Sequence, residues 1–267
     1  MKLKLNSSMS NFLGQRIVKE SGLLILEPMN KDCKLAVILP VYNEGFEILL
    51  DCLVSLATQT APPEQFEVIS VVNNSQNEAM LNTASFVNNQ NVLKLIDYIN
   101  NKSIFKPIGV TAGQLRKIKV IQQYGLRLHS IDKSAIKSAE IENFVAKARQ
   151  TGAREAERRF FSVLAKDNGI VVFNDCDSYF SNNYIAGLIK IYQAYNLNGL
   201  AGRNEFVMGR DCAYPEVLKR AVEISLGRPL SVKPKKLFYR QRRDNLTLRV
   251  MSCCPNISAP NVHRPSR

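Results

Sequence analysis

Two aspartates separated by one residue could hold a metal ion. Asp175 and Asp177 directly follow the apolar run 169–173, which is typical of a strand buried on both faces. Carboxylates at this spacing can bind one hard divalent cation, Mn²⁺ or Mg²⁺, against a diphosphate and stabilise a nucleoside diphosphate as leaving group. The alternative is structural, because Asp177 or Ser178 can also cap the helix that follows.

A second polar cluster follows the apolar run 34–40. Pro40 has no backbone N–H and therefore ends strand pairing. Tyr42 can stack on a base, and Glu44 can accept hydrogen bonds from ribose hydroxyls. Alternatively, the cluster is an exposed turn in which Asn43 caps the next helix. The sequence contains neither the G-x-G-x-x-G pattern nor a Walker loop, which argues against those two kinds of nucleotide site.

Short apolar runs alternate with helical patterns along the chain. Strands are predicted at 34–40, 66–72, 125–131 and 169–173, with an edge strand at 22–26 and a further strand at 199–207. Helices are predicted at 46–57, 76–100, 111–124, 135–167 and 182–196. This alternation predicts an α/β fold with a mostly parallel sheet flanked by helices. Ligands bind beyond the carboxyl ends of such strands, so the polar residues that follow them should face one crevice.

Several of these segments together resemble a known family. The segments are 39–44 (LPVYNE), 71–75 (VVNNS) and 173–177 (FNDCD), with 148–156 (ARQTGAREA) placed before the last. In this order they resemble the N-terminal half of family 2 glycosyltransferases, which have the Rossmann-like GT-A fold. The resemblance covers roughly residues 34–207 and implies a nucleotide-sugar donor, a divalent metal, and a saccharide or lipid-linked acceptor.

The resemblance also implies roles for individual residues. Asn73 stands where the family usually has an aspartate that meets the base, and an amide there both donates and accepts. Asp132 is a further candidate for nucleoside or ribose contact, with a turn residue as the alternative. Arg154 could offset diphosphate charge, although it could equally be a surface arginine of a helix. The remaining roles are a nucleoside pocket from Pro40, Tyr42 and Glu44, and a metal site from Asp175 and Asp177, with Asp177 as the more direct ligand.

The C-terminal part departs from the family pattern. The family places a catalytic aspartate after the acceptor-binding region, and we find no such motif here. Three interpretations stay open: a shortened or frame-altered chain, an enzyme whose base is Glu205, Asp211 or Glu216, and a non-catalytic nucleotide-sugar binder. If the chain is active, we expect inversion of the anomeric centre through a carboxylate base. A nucleotidyltransferase is a further alternative, but the loop after the first strand lacks the Gly- and Arg/Lys-rich composition expected for one.

Composition and charge limit the remaining possibilities. The chain has 267 residues, 45% of them hydrophobic and 22% charged, as in an ordinary globular protein. It has no apolar run long enough to span a membrane and no signal-peptide core, and its cysteines lack zinc-site spacing, so we expect a cytoplasmic protein. Most of the net charge of +13 lies in residues 228–267, which favours contact with an anionic membrane surface. The absence of an aromatic-rich RNP-type motif argues against nucleic acid.

These observations predict three regions. Residues 1–33 form an N-terminal extension, 34–207 a GT-A-like nucleotide-sugar-binding domain, and 208–267 a basic, incomplete acceptor region or tail.

Overall fold

The structure is a computed structural model. It describes residues 25–135, 145–164, 169–195, 199–200, 205–207, 238–240 and 250–252. The chain divides into two compact units, one within residues 1–198 and 251–267 and the other within 199–250. The predicted domain bounds stay a prediction.

A parallel sheet forms the centre of the first unit. Its strands are β1 (Leu35–Val41), β2 (Phe66–Asn73), β3 (Leu128–Lys133) and β4 (Ile170–Phe173), and they lie in the order β3-β2-β1-β4. All three pairings are parallel, with Val41 of β1 opposite Val72 of β2. Every residue of β1 and β2 is buried, so both faces of the sheet are covered. The predicted α/β fold with a mostly parallel sheet is confirmed.

Helices connect and cover these strands. They are α1 (Phe46–Ala57), α2 (Gln76–Met80), α3 (Ala84–Ile99), α4 (Ala112–Gln123), α5 (Val145–Leu164) and α6 (Tyr184–Tyr195), with a 3-10 helix at Pro63–Gln65. Ser75, Thr83 and Thr111 are the N-caps of α2, α3 and α4, and each side chain accepts a backbone N–H from the first turn.

Four expectations about these elements need correction. The single helix predicted at 76–100 is two helices, because Asn82 adopts a left-handed φ of 50° and Thr83 caps a new start. The third strand begins three residues later than predicted and contains Asp132. Residues 25 and 26 of the predicted edge strand are not in a strand, and 22–24 lie outside the described residues. Of the long helix predicted at 135–167, residue 135 is not helical, residues 145–164 are, and 136–144 and 165–167 lie outside the described residues.

Helix α5 packs closely on one face of the sheet. Its contact core is apolar and consists of Ala36, Ile38, Ile69, Val71, Ile131 and Val171 from the strands and Ala148, Ala156 and Phe160 from the helix. A Cβ added to Gly152 would lie 2.4 Å from Ile38 Cγ2, so glycine is what permits this approach. Ile25, Met29 and Cys33 belong to the same core, which attaches the segment 25–33 to this unit.

A charged cluster is buried near the amino ends of β2 and β3. Arg159 of α5 is 1% exposed and donates to both carboxylate oxygens of Glu67, at 2.7 and 2.8 Å. It also donates to the Glu27 carbonyl at 2.7 Å, and its Nη2 lies 3.4 Å from His129 Nε2. Burial opposes ionisation of Glu67, but His129 and Arg159 outweigh it and lower the pKa of Glu67 to about 2.

The second unit is described only in short strands. These are β5 (Gly199–Leu200), β6 (Glu205–Val207) and β7 (Phe238–Arg240), and β8 (Val250–Ser252) follows at the boundary of the two units. Strands β6 and β7 pair antiparallel, with Phe206 opposite Tyr239. Of the strand predicted at 199–207, residues 199–200 and 205–207 are in strands, and 201–204 lie outside the described residues.

Candidate functional site

The polar residues of interest lie where the parallel strands end. Val41 pairs with Val72, so Tyr42 lies level with Asn73 at the carboxyl edge. Side chains alternate between the faces of a sheet, and Asn73, two residues after Val71, therefore lies on the face on which α5 packs. Asp175, two residues beyond Phe173 of β4, is contacted by a side chain of the same helix. The fold thus gathers residues that are far apart in sequence.

Asn89 of α3 joins the ends of the two central strands. This fully buried side chain accepts from the Asn43 backbone N–H at 2.7 Å through its oxygen. Its nitrogen therefore faces the other way, and it donates to the Asn73 carbonyl at 3.0 Å and to Asn74 Oδ1 at 2.7 Å. Asn43 has a left-handed φ of 55°, a conformation that asparagine tolerates better than most residues. One buried amide thus holds the turn after β1 against the end of β2.

Glu78 of α2 holds the side chain of Tyr42. The tyrosine hydroxyl donates to Glu78 Oε1 at 2.6 Å, and Ser85 Oγ donates to the same oxygen at 2.7 Å. The other carboxylate oxygen accepts from the backbone and side chain of Ser75, which closes a capping box. Burial opposes ionisation, but the hydrogen bonds from Tyr42, Ser75 and Ser85 lower the pKa of Glu78 to about 2. The Tyr42 ring is thereby fixed at the edge while remaining exposed.

Arg149 of α5 forms an ion pair with Asp175. Its Nη2 contacts Asp175 Oδ1, and both side chains are substantially exposed. Arg149 Nε is buried and has no hydrogen-bond partner among the described residues. The close packing at Gly152, less than one turn further along the helix, brings Arg149 over the edge of the sheet. The exposed part of this guanidinium, beside an aspartate, can contact an anionic ligand.

Glu44, which precedes α1, is influenced by the aspartates that follow β4. Burial and the negative charges of Asp177 and Asp175 raise the pKa of Glu44, although a hydrogen bond with Cys176 partly offsets this. Cys176 is buried, and burial together with Glu44 and Cys52 raises the pKa of its thiol. Negative charge near a carboxylate favours binding of a cation, and Arg149 offsets part of that charge at Asp175.

The loop that carries these aspartates is anchored on α1. Gln59 is buried and donates to the carbonyls of Ser55 and Ser181, both at 2.8 Å. Its side-chain oxygen accepts from the Ile185 N–H at 2.9 Å, at the start of α6. Tyr179, two residues after Asp177, also donates to a carboxylate of α1. The segment between β4 and α6 is therefore attached at several points along its length.

Two buried amide nitrogens at this edge have no hydrogen-bond partner among the described residues. They belong to Asn74, whose oxygen accepts from Asn89, and to Asn174, whose oxygen accepts from Tyr184 at 3.1 Å. Buried donors normally have partners in folded proteins. Unused donors beyond the carboxyl ends of strands are suited to hydrogen-bond a bound ligand.

Some predicted residues are less directly connected to this edge. Asp132 is the second-last residue of β3, and its Oδ1 accepts from the backbone and hydroxyl of Ser134 at 2.7 and 2.6 Å, which is the turn alternative for this residue. Arg154 lies on α5, five residues after the arginine that reaches Asp175. Glu205 begins β6 in the second unit, whereas Asp211 and Glu216 lie outside the described residues. The roles of all these residues stay predictions.

Sequence reasoning missed Asn89, Glu78 and Arg149. Asn89 stands on the buried stripe of α3 with Val92, Ile96 and Ile99, and a polar residue at a core position is a signal that it has internal partners. Glu78 follows Ser75 at the capping-box spacing, which indicates a helix start but not its contact with Tyr42. Arg149 stands in the segment 148–156, but nothing in that sequence indicates that it reaches Asp175.

Two negative findings concern the described residues. No group of three or more His, Cys, Asp or Glu side chains among them is arranged to hold a metal ion. In the same part of the chain, no helix is both long enough and apolar enough to cross a membrane.

Among known proteins, this chain is similar only to solved structures, and that similarity is weak. No family model and no curated protein matches the sequence. Among solved structures, S. aureus TarS 1–349 in complex with UDP-GlcNAc is 19% identical with a TM-score of 0.38, over 63% of this chain and 33% of that one. A crystal structure of S. aureus TarS is 20% identical with a TM-score of 0.39, over 78% of this chain and 28% of that one.

A third structure is the mannosyltransferase PcManGT from Pyrobaculum calidifontis in complex with GDP-Man and Mn²⁺. It is 15% identical with a TM-score of 0.35, over 80% of this chain and 46% of that one. In each case the aligned part is less than half of the other protein.

Proposed function

We propose that this chain binds a nucleotide-sugar donor at the carboxyl edge of its sheet and transfers the sugar to an acceptor hydroxyl, as a family 2 glycosyltransferase of the GT-A type. One observation carries the proposal: at the carboxyl ends of the parallel strands, Glu78 holds Tyr42 while its side chain remains exposed, and Arg149 is in contact with Asp175. This set combines an aromatic surface for a base with charged groups for a diphosphate.

The nucleoside would lie against the ends of β1 and β2. Tyr42 offers its ring face, because its hydroxyl is already held by Glu78. Asn73 lies level with it and can hydrogen-bond a base, and Pro40 would line the same pocket. Glu44 would accept from ribose hydroxyls. Its raised pKa leaves it ionised only when pH exceeds that value, so donor binding should weaken in acid.

The residues at the end of β4 fit a divalent cation by their chemistry. Asp175 and Asp177 of the D-x-D sequence would hold Mn²⁺ or Mg²⁺, because carboxylate oxygens are the ligands that these hard cations prefer. When bound, such an ion supplies positive charge to the diphosphate leaving group. Arg149 would orient the diphosphate from α5, with Arg154 on the same helix as an additional source of charge.

The transfer itself requires a carboxylate base. The base takes the proton of the acceptor hydroxyl while that oxygen attacks the anomeric carbon and the bond from carbon to diphosphate breaks, which inverts the anomeric centre. Glu205, Asp211 and Glu216 are the candidates for this role. The acceptor would be a saccharide or a lipid-linked sugar reached at the inner face of a membrane by a cytoplasmic protein.

A second candidate function is nucleotide-sugar binding without turnover. It is favoured by the observation that several carboxylates of the described edge already have structural partners. Asp175 pairs with Arg149, Glu78 is held by Tyr42 and Ser75, and Asp132 closes its own turn. In that case the donor site would be retained, and the acceptor chemistry would be absent.

Calorimetric titration of the full chain with UDP and GDP, with and without Mn²⁺, tests the donor site. We expect metal-dependent binding that falls at least roughly tenfold in Asp175→Asn and in Asp177→Asn, because each variant removes one negative ligand. Asp32→Asn, at an exposed turn away from this edge, is the matched control. The proposal fails if no nucleotide binds under either condition.

Product analysis separates the possible activities. Release of free UDP or GDP from a nucleotide sugar, dependent on an added acceptor, supports transfer. Binding without product supports the binder, and release of pyrophosphate from a nucleoside triphosphate supports a nucleotidyltransferase.

A further inference from the structure

The loop between α3 and α4 exposes three large apolar side chains. Ile104, Phe105 and Ile108 have 88%, 79% and 93% of their surface exposed. Singly exposed apolar residues are ordinary on protein surfaces, but three within five positions of one loop are a concentrated apolar feature.

Hydrogen bonds hold the backbone of this loop, and its three apolar side chains are exposed in that ordered conformation. Ser103 Oγ accepts from the Phe105 N–H at 3.1 Å, and the Lys102 N–H bonds to the Asp97 carbonyl at 2.9 Å. Pro107 and Val110 are buried and attach the loop to the unit. The chain therefore turns two of its apolar residues inward and keeps the other three outward.

The same region is strongly basic. Residues 98–131 contain no acidic residue and include Lys102, Lys106, Arg116, Lys117, Lys119 and Arg127. Lys102 and Lys117 pair with acids from elsewhere in the chain, namely Glu27 for the former and Glu47 and Asp51 for the latter. Lys106 lies between the exposed apolar residues, and Arg116 and Lys119 are exposed on α4 directly after the loop.

We propose that the loop 102–108, with the exposed basic residues of α4, docks on an anionic lipid bilayer. Apolar side chains that project from an ordered loop can enter the boundary between headgroups and acyl chains, while flanking lysines and arginines remain at the charged headgroups. Each basic residue near such a surface adds to the attraction, and salt weakens it. The charge complementarity identifies the partner as anionic lipid, since neutral lipid would use the apolar residues alone.

The loop has a further relation to the candidate site. Lys117 of α4 pairs with Asp51 of α1, and Asp51 accepts from Tyr179, two residues after Asp177, at 2.9 Å. Helix α4 is therefore connected through Asp51 to the segment that follows Asp177, whereas Lys102 at the start of the loop pairs with Glu27. Docking itself requires no nucleotide, so it can be tested independently of the proposed function.

The chain contains no tryptophan, which makes a single reporter possible. In Phe105→Trp, we expect the tryptophan emission to shift to shorter wavelength when vesicles of equal parts phosphatidylcholine and phosphatidylglycerol are added. Brominated acyl chains should then quench it, because the side chain enters the acyl boundary. If the protein sediments with the vesicles while this emission is unchanged, the contact lies elsewhere in the chain and the proposal is wrong.

Vesicle partitioning of the full chain provides a second test. Replacing Ile104, Phe105 and Ile108 together by serine should lower the partition coefficient roughly tenfold or more. Leu26→Ser is the matched control, since Leu26 is 78% exposed outside the loop, and it should stay within about twofold of the unchanged chain. Pure phosphatidylcholine vesicles should bind weakly.

Two outcomes would overturn the proposal in this assay. One is equal partitioning of the triple-serine variant and the unchanged chain. The other is lipid-free self-association that the triple-serine variant abolishes in sedimentation velocity, which would assign the loop to a second copy of this chain. Circular dichroism should be the same for all variants, because the replaced side chains make little contact with the folded unit.

Discussion

Charged groups are paired differently at the two ends of the central sheet. At the amino ends, Arg159 is buried with every guanidinium nitrogen bonded, and Glu67 opposite it is strongly stabilised as the anion. At the carboxyl ends, burial and like charges destabilise ionised Glu44, and the amide nitrogens of Asn74 and Asn174 lack partners among the described residues. The first arrangement has its charges and donors paired within the protein, whereas the second leaves buried amide donors without partners among the described residues.

One helix contributes to both ends. Arg149 and Arg159 are ten residues apart on α5, with Gly152 between them. Arg159 is fully enclosed and holds the segment 25–33 through the Glu27 carbonyl, whereas Arg149 reaches an exposed aspartate. Arg159 is thus structural, whereas the side chain of Arg149 remains accessible. The two arginines differ in burial and in the number of their hydrogen-bond partners.

The largest effect should come from breaking the amino-end pair. Glu67→Gln leaves the Arg159 charge buried without its counter-charge, and we expect a loss of about 3–5 kcal/mol in the free energy of unfolding. Glu47→Gln, in an exposed pair with Lys117, is the control and should cost less than about 0.5 kcal/mol. Urea denaturation measures both. Comparable small losses in the two variants would remove the contrast between the two ends.

A smaller loss in the free energy of unfolding is expected at Asn89, which joins the ends of the two central strands. Asn89→Leu preserves approximate size but leaves the Asn43 N–H and the Asn73 carbonyl without their buried partner, at a cost of about 2–3 kcal/mol. Calorimetry should also find weaker UDP binding, because Tyr42 follows directly on β1. Asn91→Ala on the same helix should change stability by less than about 0.5 kcal/mol. UDP affinity unaffected by Asn89→Leu would mean that this turn does not position the site.

Two glycine substitutions test the close packing of α5. Gly152→Ala places a methyl group against Ile38 and should destabilise the chain by about 1–2 kcal/mol despite the better helix propensity of alanine. Gly187→Ala in α6 has no atom of the described residues within 4 Å of its new methyl group and should stabilise by about 0.5–1 kcal/mol. Thermal unfolding distinguishes the signs. A stabilising Gly152→Ala would show that the helix can move away from the sheet.

Acid should lower the free energy of unfolding, because two carboxylates of the folded chain have lowered pKa values. Glu67 and Glu78 each have a folded pKa of about 2, below the ordinary value of 4.5, so the unfolded chain binds protons first as pH falls. Their contribution is fully present above about pH 4.5 and is lost progressively as the pH falls toward 2. Urea midpoints measured across this range should fall, and more steeply for the unchanged chain than for Glu78→Gln. If the urea midpoint falls equally steeply with pH in the unchanged chain and in Glu78→Gln, Glu78 does not contribute to the acid sensitivity.

The smallest effect on stability should come from the carboxyl-end pair. Arg149→Gln removes an exposed ion pair and should change the unfolding free energy by less than about 0.5 kcal/mol. It also frees Asp175, so Mn²⁺ alone should bind roughly threefold to tenfold more tightly in an electron paramagnetic resonance titration. Arg116→Gln, an exposed arginine of α4, is the control. Weaker Mn²⁺ binding in Arg149→Gln would mean that Arg149 organises the site instead of competing for it.

Local sequence determined the parts of the fold that depend on periodicity. The runs at 34–40 and 66–72 are apolar throughout because both faces of these strands are buried, and β1 and β2 lie there. Polar residues after apolar strands indicated where the candidate site lies, because parallel strands end on one side of a sheet. The break at Asn82 and the late start of β3 were missed, because turn chemistry and strand pairing set these limits more than periodicity does.

Contacts between distant residues were decided only by the tertiary structure. No spacing in the chain indicates that Arg149 meets Asp175, that Glu78 holds Tyr42, or that Arg159 pairs with Glu67 across 92 positions. Such pairs depend on the order of the strands and on how closely a helix packs on the sheet. Gly152 permits close packing of α5 because Ile38 lies directly beneath it. The sequence by itself determined the residue types available for chemistry and the edge where they collect. Packing decided which of them are neutralised inside the protein and which remain available to a ligand, because pairing and burial are properties of neighbours in space.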